Sequence, residues 1–242
     1  MALTYDGLDA RALAALTRAP HVELRDAVTS TQDLAHELGA SGAPAGTLVL
    51  AEEQTSGRGR QGRQWRSPRG GGVWLTVLLR PGAAHTRGVL ALRAGLATVR
   101  ALAEAAHELA PRLKWPNDVI VAGRKAGGIL CEARWSADTV GWVAAGVGIN
   151  VRGPAPADVR QTAIALSDVA PAISRLAVLA ALVPRLTAAG DGPAELTGTE
   201  QAAFLDLAWA GPGEMRPAGL APDGALLVER PDGSLERRVD AP

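Results

Sequence analysis

Apolar residues recur along the chain with two different spacings. In four segments they lie three or four residues apart, a pattern that predicts helices at 8–18, 29–39, 87–109 and 174–189. Short apolar runs bounded by turn residues predict strands at 21–26, 47–54, 73–80, 112–115, 118–122, 126–135 and 139–150. The strands after residue 112 are joined by short turns, so we expect them to pair antiparallel.

The helix predicted at 29–39 carries signals at both of its ends. Ser30 or Thr31 can cap its first turn, and Asp33 follows three residues after Ser30. Gly39 is the kind of residue that ends a helix. We therefore expect this helix to begin at residue 30 or 31 and to stop at Gly39.

The chain changes character after about residue 190. Short strand-like runs are separated there by Asp-Gly turns, which predicts a small β unit, whereas the proline-rich stretch at 153–156 predicts a loop. The predicted fold class is α+β, with helices packed on a mixed, largely antiparallel sheet. We expect a main domain over residues 1–195 and a small, shortened C-terminal β domain over 196–242.

Charge is distributed unevenly along the chain. The 242 residues have a formal net charge of zero, which gives no electrostatic reason to expect a nucleic-acid partner. Between Gln54 and Ala103, however, there are nine arginines and no Asp or Glu. This arrangement favours one locally positive site over a uniformly basic surface.

Cysteine use and hydropathy indicate the compartment. The single cysteine, Cys131, cannot form an intramolecular disulfide and is most simply a small buried hydrophobic residue. No stretch has the ~20 consecutive apolar residues that a membrane span needs, and the N-terminus lacks the features of a secretion signal. We expect a soluble, cytoplasmic protein that does not bind membranes.

Lysine is nearly absent from the chain. Only Lys114 and Lys125 are lysines among the 25 basic residues, and they lie eleven positions apart. A rare residue can fall at two such places by chance. Alternatively, a compact, flexible ammonium is needed there and the planar fork of arginine will not serve. Composition alone leaves both interpretations open.

The most cationic segment is GRGRQGRQWRSPRGGG, residues 57–72, with five arginines, six glycines and no acid. Gly57, Gly59 and Gly62 fit the G-x-G-x-x-G pattern. A dinucleotide-binding motif must open a helix, though, and this one runs into a proline, three glycines and a strand. An RNA-binding arginine–glycine segment is a second interpretation, although such segments are usually longer and repetitive.

The third interpretation, which we favour, is a loop that closes over a phosphate or carboxylate ligand. Glycine lets the backbone approach the ligand, and arginine forks neutralise its charge. With no acid nearby in the sequence, repulsion among the arginines predicts disorder until a ligand closes the loop.

A second informative stretch is LKWPNDVIVAGRKAGGIL, residues 113–130. Asn117 and Asp118 suit a turn after Pro116, and the two lysines flank them. Gly127 and Gly128 leave a strand without side chains, which often marks a place where a ligand lies against the backbone.

Four motifs together resemble biotin–protein ligases: QTSGRGRQGRQW (54–65), KWPND (114–118), RKAGGIL (124–130) and GVGIN (146–150). STQ (30–32) stands where that family has Ser-Thr-Asn. The resemblance covers roughly residues 28–170. It implies a class II synthetase-like catalytic domain followed by a small SH3-like domain.

The resemblance also implies a two-step reaction. Biotin and ATP would form biotinyl-5'-AMP, assisted by Mg²⁺ and fixed positive charge, and the biotinyl group would pass to one lysine of the apo biotin carboxyl carrier protein of acetyl-CoA carboxylase. Lys125 and Arg60 would be catalytic. The implied biotin-binding residues are Ser30, Thr31, Gln32, Gln54, Gly57, Arg58, Gly59, Arg60, Lys125 and Gly128. The implied nucleotide-binding residues are Arg60, Lys114, Asn117, Asp118, Lys125 and Asn150, and no residue is assigned to a metal.

The chain departs from the family pattern at three places. Gln32 replaces the usual asparagine, and Ala126-Gly127 replaces Leu-Ala, which puts fine biotin affinity in doubt. Only 29 residues precede the Ser-Thr pair, too few for the DNA-binding domain of some relatives, so we expect no repressor activity. The nearest alternatives are a lipoate or octanoyl ligase and a non-enzymatic RNA-binding module. Sequence leaves a homodimer possible.

Overall fold

The computed structural model describes residues 3–82, 87–136, 139–153, 162–214, 216–230 and 232–239. Its largest element is a seven-stranded sheet with strand order β1-β2-β3-β7-β6-β5-β4. The strands are β1 (Val22–Val28), β2 (Leu48–Gln54), β3 (Gly72–Leu79), β4 (Arg112–Lys114), β5 (Asp118–Val121), β6 (Arg124–Ser136) and β7 (Thr139–Asn150). The β1–β2 pair is parallel and the others are antiparallel, which confirms the predicted mixed sheet.

Five helices accompany the sheet in the described part of the chain: α1 (Ala10–Thr17), α2 (Thr31–Ala40), α3 (Arg87–Ala105), α4 (Arg175–Ala189) and α5 (Gly198–Leu207). Ser30 caps α2, as predicted. The prediction that Gly39 ends α2 is wrong: the helix continues to Ala40, and Ser41 is its C-cap. Gly39 instead leaves room for a tryptophan, because a Cβ atom there would lie 2.6 Å from Trp142 Nε1.

The two faces of the sheet differ because large and small residues alternate along β7. Val143, Val147 and Ile149 are buried in the main hydrophobic core with residues of α3 and α4. Gly146 and Gly148 belong to the opposite face, where α2 packs on β2, β3 and β7. The small residues therefore allow side chains from other elements to lie directly against the α2 face of the sheet.

The C-terminal part forms a second, three-stranded antiparallel sheet of β8 (Pro217–Leu220), β9 (Leu226–Glu229) and β10 (Leu235–Arg238). The small β unit was predicted, but α5 before it was not. Its sequence has no apolar stripe; it is fixed by a capping box between Thr197 and Glu200 and by the buried ring of Phe204. The boundary between residues 195 and 196 stays a prediction.

One sequence expectation lies mostly outside the described residues. Of the loop predicted at 153–156, residues 154–156 lie outside the described residues. Within the described ranges, no helix has both the length and the apolar character to cross a membrane.

Candidate active site

Strand pairing aligns three positions on the α2 face of the sheet. Asp118 of β5 pairs with Gly128 of β6, which pairs with Gly148 of β7. Paired residues share a face, so the two glycines form a floor and Asp118 stands at its edge.

A bulge in β6 brings Lys125 to the same face. Gly127 pairs with Val119 but Lys125 pairs with Ile120, so β6 carries one extra residue at this point. In a regular strand, Lys125 and Gly128 would point to opposite faces because three positions separate them. The bulge reverses that parity and places Lys125 above Gly128, with Nζ 3.7 Å from the position of a Cβ at Gly128.

Lys125 and the loop residue Arg60 contact neighbouring residues of one turn. Lys125 Nζ lies 2.6 Å from Asp118 Oδ1. Arg60 Nη1 donates a hydrogen bond to Asn117 Oδ1 at 3.3 Å. The structure thus brings together the two cations that the sequence predicted as a catalytic pair.

The arginine–glycine loop has a defined internal structure. Gly59 N donates to Arg63 O at 2.7 Å and Trp65 N donates to Gly57 O at 2.8 Å, around a single 3-10 turn at Arg60–Gly62. A Cβ at Gly57 would lie 2.4 Å from the carbonyl oxygen of Trp65. This close backbone approach is why a glycine is needed at the start of the loop.

Acidic residues from elsewhere in the chain neutralise both ends of the loop. Arg58 contacts Asp33 of α2 at 2.5 Å and Glu132 of β6 at 3.3 Å. Arg69 pairs with Asp26 of β1. The expectation that these arginines have no acid nearby is wrong, because the acids are distant in sequence and close in space. Disorder before ligand binding stays a prediction.

The predicted biotin-binding residues at the start of α2 lie together. Gln54 Oε1 accepts hydrogen bonds from Thr31 N at 2.9 Å and Thr31 Oγ1 at 3.0 Å. Ser30 Oγ accepts from Gln32 N at 3.3 Å, and Thr76 Oγ1 donates to Thr31 Oγ1 at 2.9 Å. A compact polar group therefore closes one end of the glycine floor.

Two buried polar atoms beside this floor have no hydrogen-bond partner: Gln32 Oε1 and Trp65 Nε1. Gln32 Nε2 donates to Leu130 O at 2.7 Å and lies over Gly146. The Trp65 indole lies over Gly148, where an added Cβ would be 2.4 Å from Nε1. Buried polar atoms are rarely unpaired, so one acceptor and one donor remain for a ligand.

Trp65 contacts a cation as well as the glycine floor. Its ring also lies 5.4 Å from Lys125 Nζ, within range of a cation–π contact. The signal available in the sequence was the position of Trp65 within the cationic segment 57–72. The unpaired indole N–H could not be predicted, because it depends on how the loop folds onto β7.

Two other predicted nucleotide-binding residues, Lys114 and Asn150, contact different parts of the structure. Lys114 Nζ contacts Glu214 Oε1 at 2.5 Å and the ring of Trp209 at 5.1 Å, in a cavity of about 420 Å³ between β4 and the C-terminal sheet. Asn150, on the face of Gly148, donates to Ile164 O at 3.4 Å. Lys114 therefore faces the C-terminal unit.

The remaining titratable groups add little direct chemistry. Burial raises the pKa of the Cys131 thiol to about 12, so it is protonated at neutral pH, as expected for a structural cysteine. A hydrogen bond from His36, together with the charge of Arg58, lowers the pKa of Glu132. Within the described residues, no three His, Cys, Asp or Glu side chains are grouped so that they could hold a metal ion.

The sequence matches a known family over the region that builds this site. The model of the biotin/lipoate A/B protein ligase family matches residues 24–150. The bifunctional ligase/repressor BirA of Bacillus subtilis is 42% identical over 154 residues, covering 62% of this chain and 47% of that protein. A biotin–[acetyl-CoA-carboxylase] ligase of Mycobacterium tuberculosis is 40% identical over 134 residues, covering 53% and 48%. The matched segment spans about half the length of these curated relatives.

Solved structures match over nearly the whole chain. The biotin protein ligase of Aquifex aeolicus in complex with biotin and ATP has a TM-score of 0.75 and 26% identity, covering 91% of this chain and 96% of that one. The biotin protein ligase of Leishmania major in complex with biotinyl-5-AMP has a TM-score of 0.65 and 26% identity, covering 91% and 99%.

Proposed function

Because the chain belongs to the biotin/lipoate A/B protein ligase family, we propose that it is a biotin–protein ligase. It activates biotin with ATP and transfers the biotinyl group to a lysine of the biotin carboxyl carrier protein. The observation that carries this proposal is the meeting of Arg60 and Lys125 at the Asn117–Asp118 turn, beside the glycine floor. The relatives with bound biotin, ATP and biotinyl-5-AMP support it.

In the first step, a carboxylate oxygen of biotin attacks the α-phosphorus of ATP. A P–O bond forms to biotin, the bond to the β-phosphate oxygen breaks, and pyrophosphate leaves. Both reactants are anions, so their approach requires fixed positive charge. Arg60 and Lys125 supply it from two elements, the loop and β6. Lys125 acts as an electrostatic stabiliser and not as a nucleophile.

In the second step, the carrier lysine amine attacks the acyl carbon of biotinyl-5'-AMP. A C–N bond forms, the bond from the acyl carbon to the phosphate oxygen breaks, and AMP leaves as the amine loses a proton. The loop closes over the mixed anhydride and keeps water away from it.

The biotin ring system occupies the other end of the glycine floor. Ser30, Thr31 and Gln54 supply hydrogen-bonding groups, and the unpaired Gln32 Oε1 and Trp65 Nε1 add one acceptor and one donor. Gly57, Arg58 and Gly59 approach through the loop backbone, and Gly128 forms the floor. The longer side chain of Gln32 reaches Leu130 O, which keeps its amide at the pocket.

The nucleotide lies toward β4 and β5. Asn117 and Asp118 line that end of the face, and Lys114 lies at its limit beside the C-terminal sheet. Asn150, at the end of β7, is the remaining predicted nucleotide-binding residue. A Mg²⁺ ion bound with the nucleotide would neutralise part of the phosphate charge. Asp118 and Asn117 offer too few oxygens to hold it alone, which suits a metal bound mainly by phosphates and water.

The test is incubation with biotin, ATP, Mg²⁺ and an apo carrier domain, followed by mass spectrometry of the carrier. We expect a biotinyl adduct that requires ATP and is lost on replacing Lys125 with alanine. A lipoyl or octanoyl adduct in its place would favour the other branch of the family. No adduct, with salt-sensitive RNA binding, would favour the RNA-binding alternative.

We also propose that this 242-residue chain does not act as a repressor. Its α1 packs on α4 and its β1 pairs within the main sheet, so both belong to the catalytic unit. Specific binding of the purified protein to operator DNA would contradict this. Self-association into a homodimer stays a prediction, to be measured by analytical ultracentrifugation.

A further inference from the structure

The guanidinium of Arg58 is held by the body of the protein. It contacts Asp33 of α2 and Glu132 of β6, four residues along β6 from Gly128. The side chain of Arg58 thus serves a purpose different from that of Arg60, which reaches the Asn117–Asp118 turn. The carboxylates of Asp33 and Glu132 would repel an anionic ligand, so they are not suited to bind one.

Glu132 is itself held by the buried ring of His36, which is in turn held by the half-buried ring of Trp142. Trp142 Nε1 donates to His36 Nδ1 at 3.1 Å, so that nitrogen carries no proton. His36 Nε2 must then carry the proton, and it donates to Glu132 Oε2 at 3.2 Å. The contacts from Trp142 through His36 thus hold the Glu132 carboxylate in the orientation in which it meets Arg58.

The two ends of the loop are held differently. The Arg69–Asp26 pair is a surface contact, with side chains 49% and 60% exposed, and such pairs contribute little. Arg58 and Glu132 are 35% and 29% exposed, and Glu132 has the additional bond from His36. The better-shielded contact lies at the end of the loop that precedes Arg60.

We propose that Asp33 and Glu132 are positioning residues that clamp the loop through Arg58 and so keep biotinyl-5'-AMP covered. The clamp fixes the first arginine of the loop to α2 and β6, and this sets where Arg60 and Trp65 lie over the glycine floor. The role of the clamp in covering biotinyl-5'-AMP rests on the proposed function, whereas its role in fixing the loop does not.

The first test needs no ligand. Trypsin cleaves after arginine, and the loop between Arg58 and Arg69 contains several such sites. In the free protein, Glu132→Gln and Asp33→Asn should each speed cleavage within this loop about tenfold, the effect of losing one charge-assisted contact. The control is Glu104→Gln, which removes the carboxylate of a surface ion pair with Arg185. Loop cleavage at the wild-type rate in both test variants would overturn the clamp.

The second test follows the bound intermediate. Glu132→Gln should release biotinyl-5'-AMP about tenfold faster and raise KM for biotin, with a smaller change in kcat and a melting temperature close to that of Glu104→Gln. In an Arg58→Met background, Glu132→Gln should add no further effect, since the residue acts through Arg58. An undiminished effect in that background would mean that Glu132 acts elsewhere, and would overturn the proposal.

The trypsin test measures the clamp alone, and the release test measures its role for biotinyl-5'-AMP. A wild-type protein that forms no biotinyl-5'-AMP would contradict the proposed function, and trypsin cleavage would still decide whether the clamp exists.

Discussion

At Lys125 the shape of the cation matters as much as its charge. The ammonium is a point charge on a flexible stem, held by Asp118 on one side and close to the Trp65 ring on the other. A guanidinium is planar and larger, and it would have to displace one of these neighbours. The near absence of lysine elsewhere in the chain is consistent with a specific need at this position.

Lys125→Arg should therefore lower the rate of adenylate formation by about 100-fold or more, although the charge is kept. The rate is measured as pyrophosphate release in a single turnover with saturating biotin and ATP. Arg100→Lys, at an exposed position of α3, is the matched control and should leave the rate unchanged. A near-normal rate in Lys125→Arg would refute the electrostatic role assigned to the ammonium.

Gly148 is a second position where a small change in a side chain would alter the site, because one added carbon atom would displace Trp65. An added Cβ would lie 2.4 Å from Trp65 Nε1, so Gly148→Ala must move the indole off the floor. We expect a roughly tenfold weaker Kd for biotin, measured by calorimetry, with little loss of thermal stability.

Gly198→Ala is the control for Gly148→Ala, because a Cβ at Gly198 has no atom within 4 Å. It should leave biotin affinity unchanged and stability equal or slightly higher, since alanine is the better helix former. Equal affinity in all three proteins would show that Trp65 does not line the biotin pocket.

The types of residue in the site could be predicted from the sequence, whereas contacts between residues far apart in the sequence could not. The family resemblance of the motifs predicted roles for Lys125 and Arg60, and Gly127-Gly128 predicted a place where a ligand lies against the backbone. Asp33 and Glu132 have no local signal. They contact Arg58 only because the fold brings α2 and β6 beside the loop.

Among the elements, the bulge in β6 does the most to build the site. The sequence predicted a strand at 126–135, but only the register shift opposite Val119 and Ile120 places Lys125 on the α2 face of the sheet. Alternation in β7 was visible in the sequence, since small and β-branched residues alternate there. Helix α5 was missed because it lacks an apolar stripe, although its capping box could have indicated it.

Another contact between elements is a partly buried ion-pair group that joins the N-terminal segment, β2 and α4. The Arg175 guanidinium contacts Asp6 and Glu52 and lies over the Tyr5 ring. Hydrogen bonds from Arg175 lower the pKa of Asp6. A carboxyl with a lowered pKa stabilises the fold above its ordinary pKa, and this contribution is lost as the pH falls through the folded-state pKa.

Asp6→Asn should thus reduce the free energy of unfolding by about 1–3 kcal/mol at pH 7. The difference from wild type should shrink as the pH falls below the ordinary carboxyl range and approach zero in strong acid. Urea unfolding at a series of pH values measures both curves. Asp9→Asn, at the exposed N-cap of α1, is the control for a carboxylate outside the group. A difference that does not change with pH would contradict the assignment to Asp6.

For the whole molecule, the question is whether the C-terminal unit is a separate domain. Leu220, Leu226 and Val228 of the small sheet belong to the same hydrophobic core as the main sheet. Trp115 Nε1 donates to Gly224 O at 3.1 Å, and Lys114 contacts Glu214. The predicted division at residues 195 and 196 separates sequence segments, but these contacts indicate one cooperative structure.

Phe204→Ala tests that cooperativity. The ring is fully buried and lies in the C-terminal segment, so its removal should cost about 3–5 kcal/mol. If the chain unfolds as one unit, hydrogen exchange should accelerate equally in β7 of the main sheet and in β9 of the small sheet. Leu205→Ala, next along the helix and 42% exposed, should change neither. Faster exchange in β9 with unchanged protection in β7 would mean that the C-terminal unit opens on its own, and the Lys114–Glu214 contact would then be a hinge between two domains.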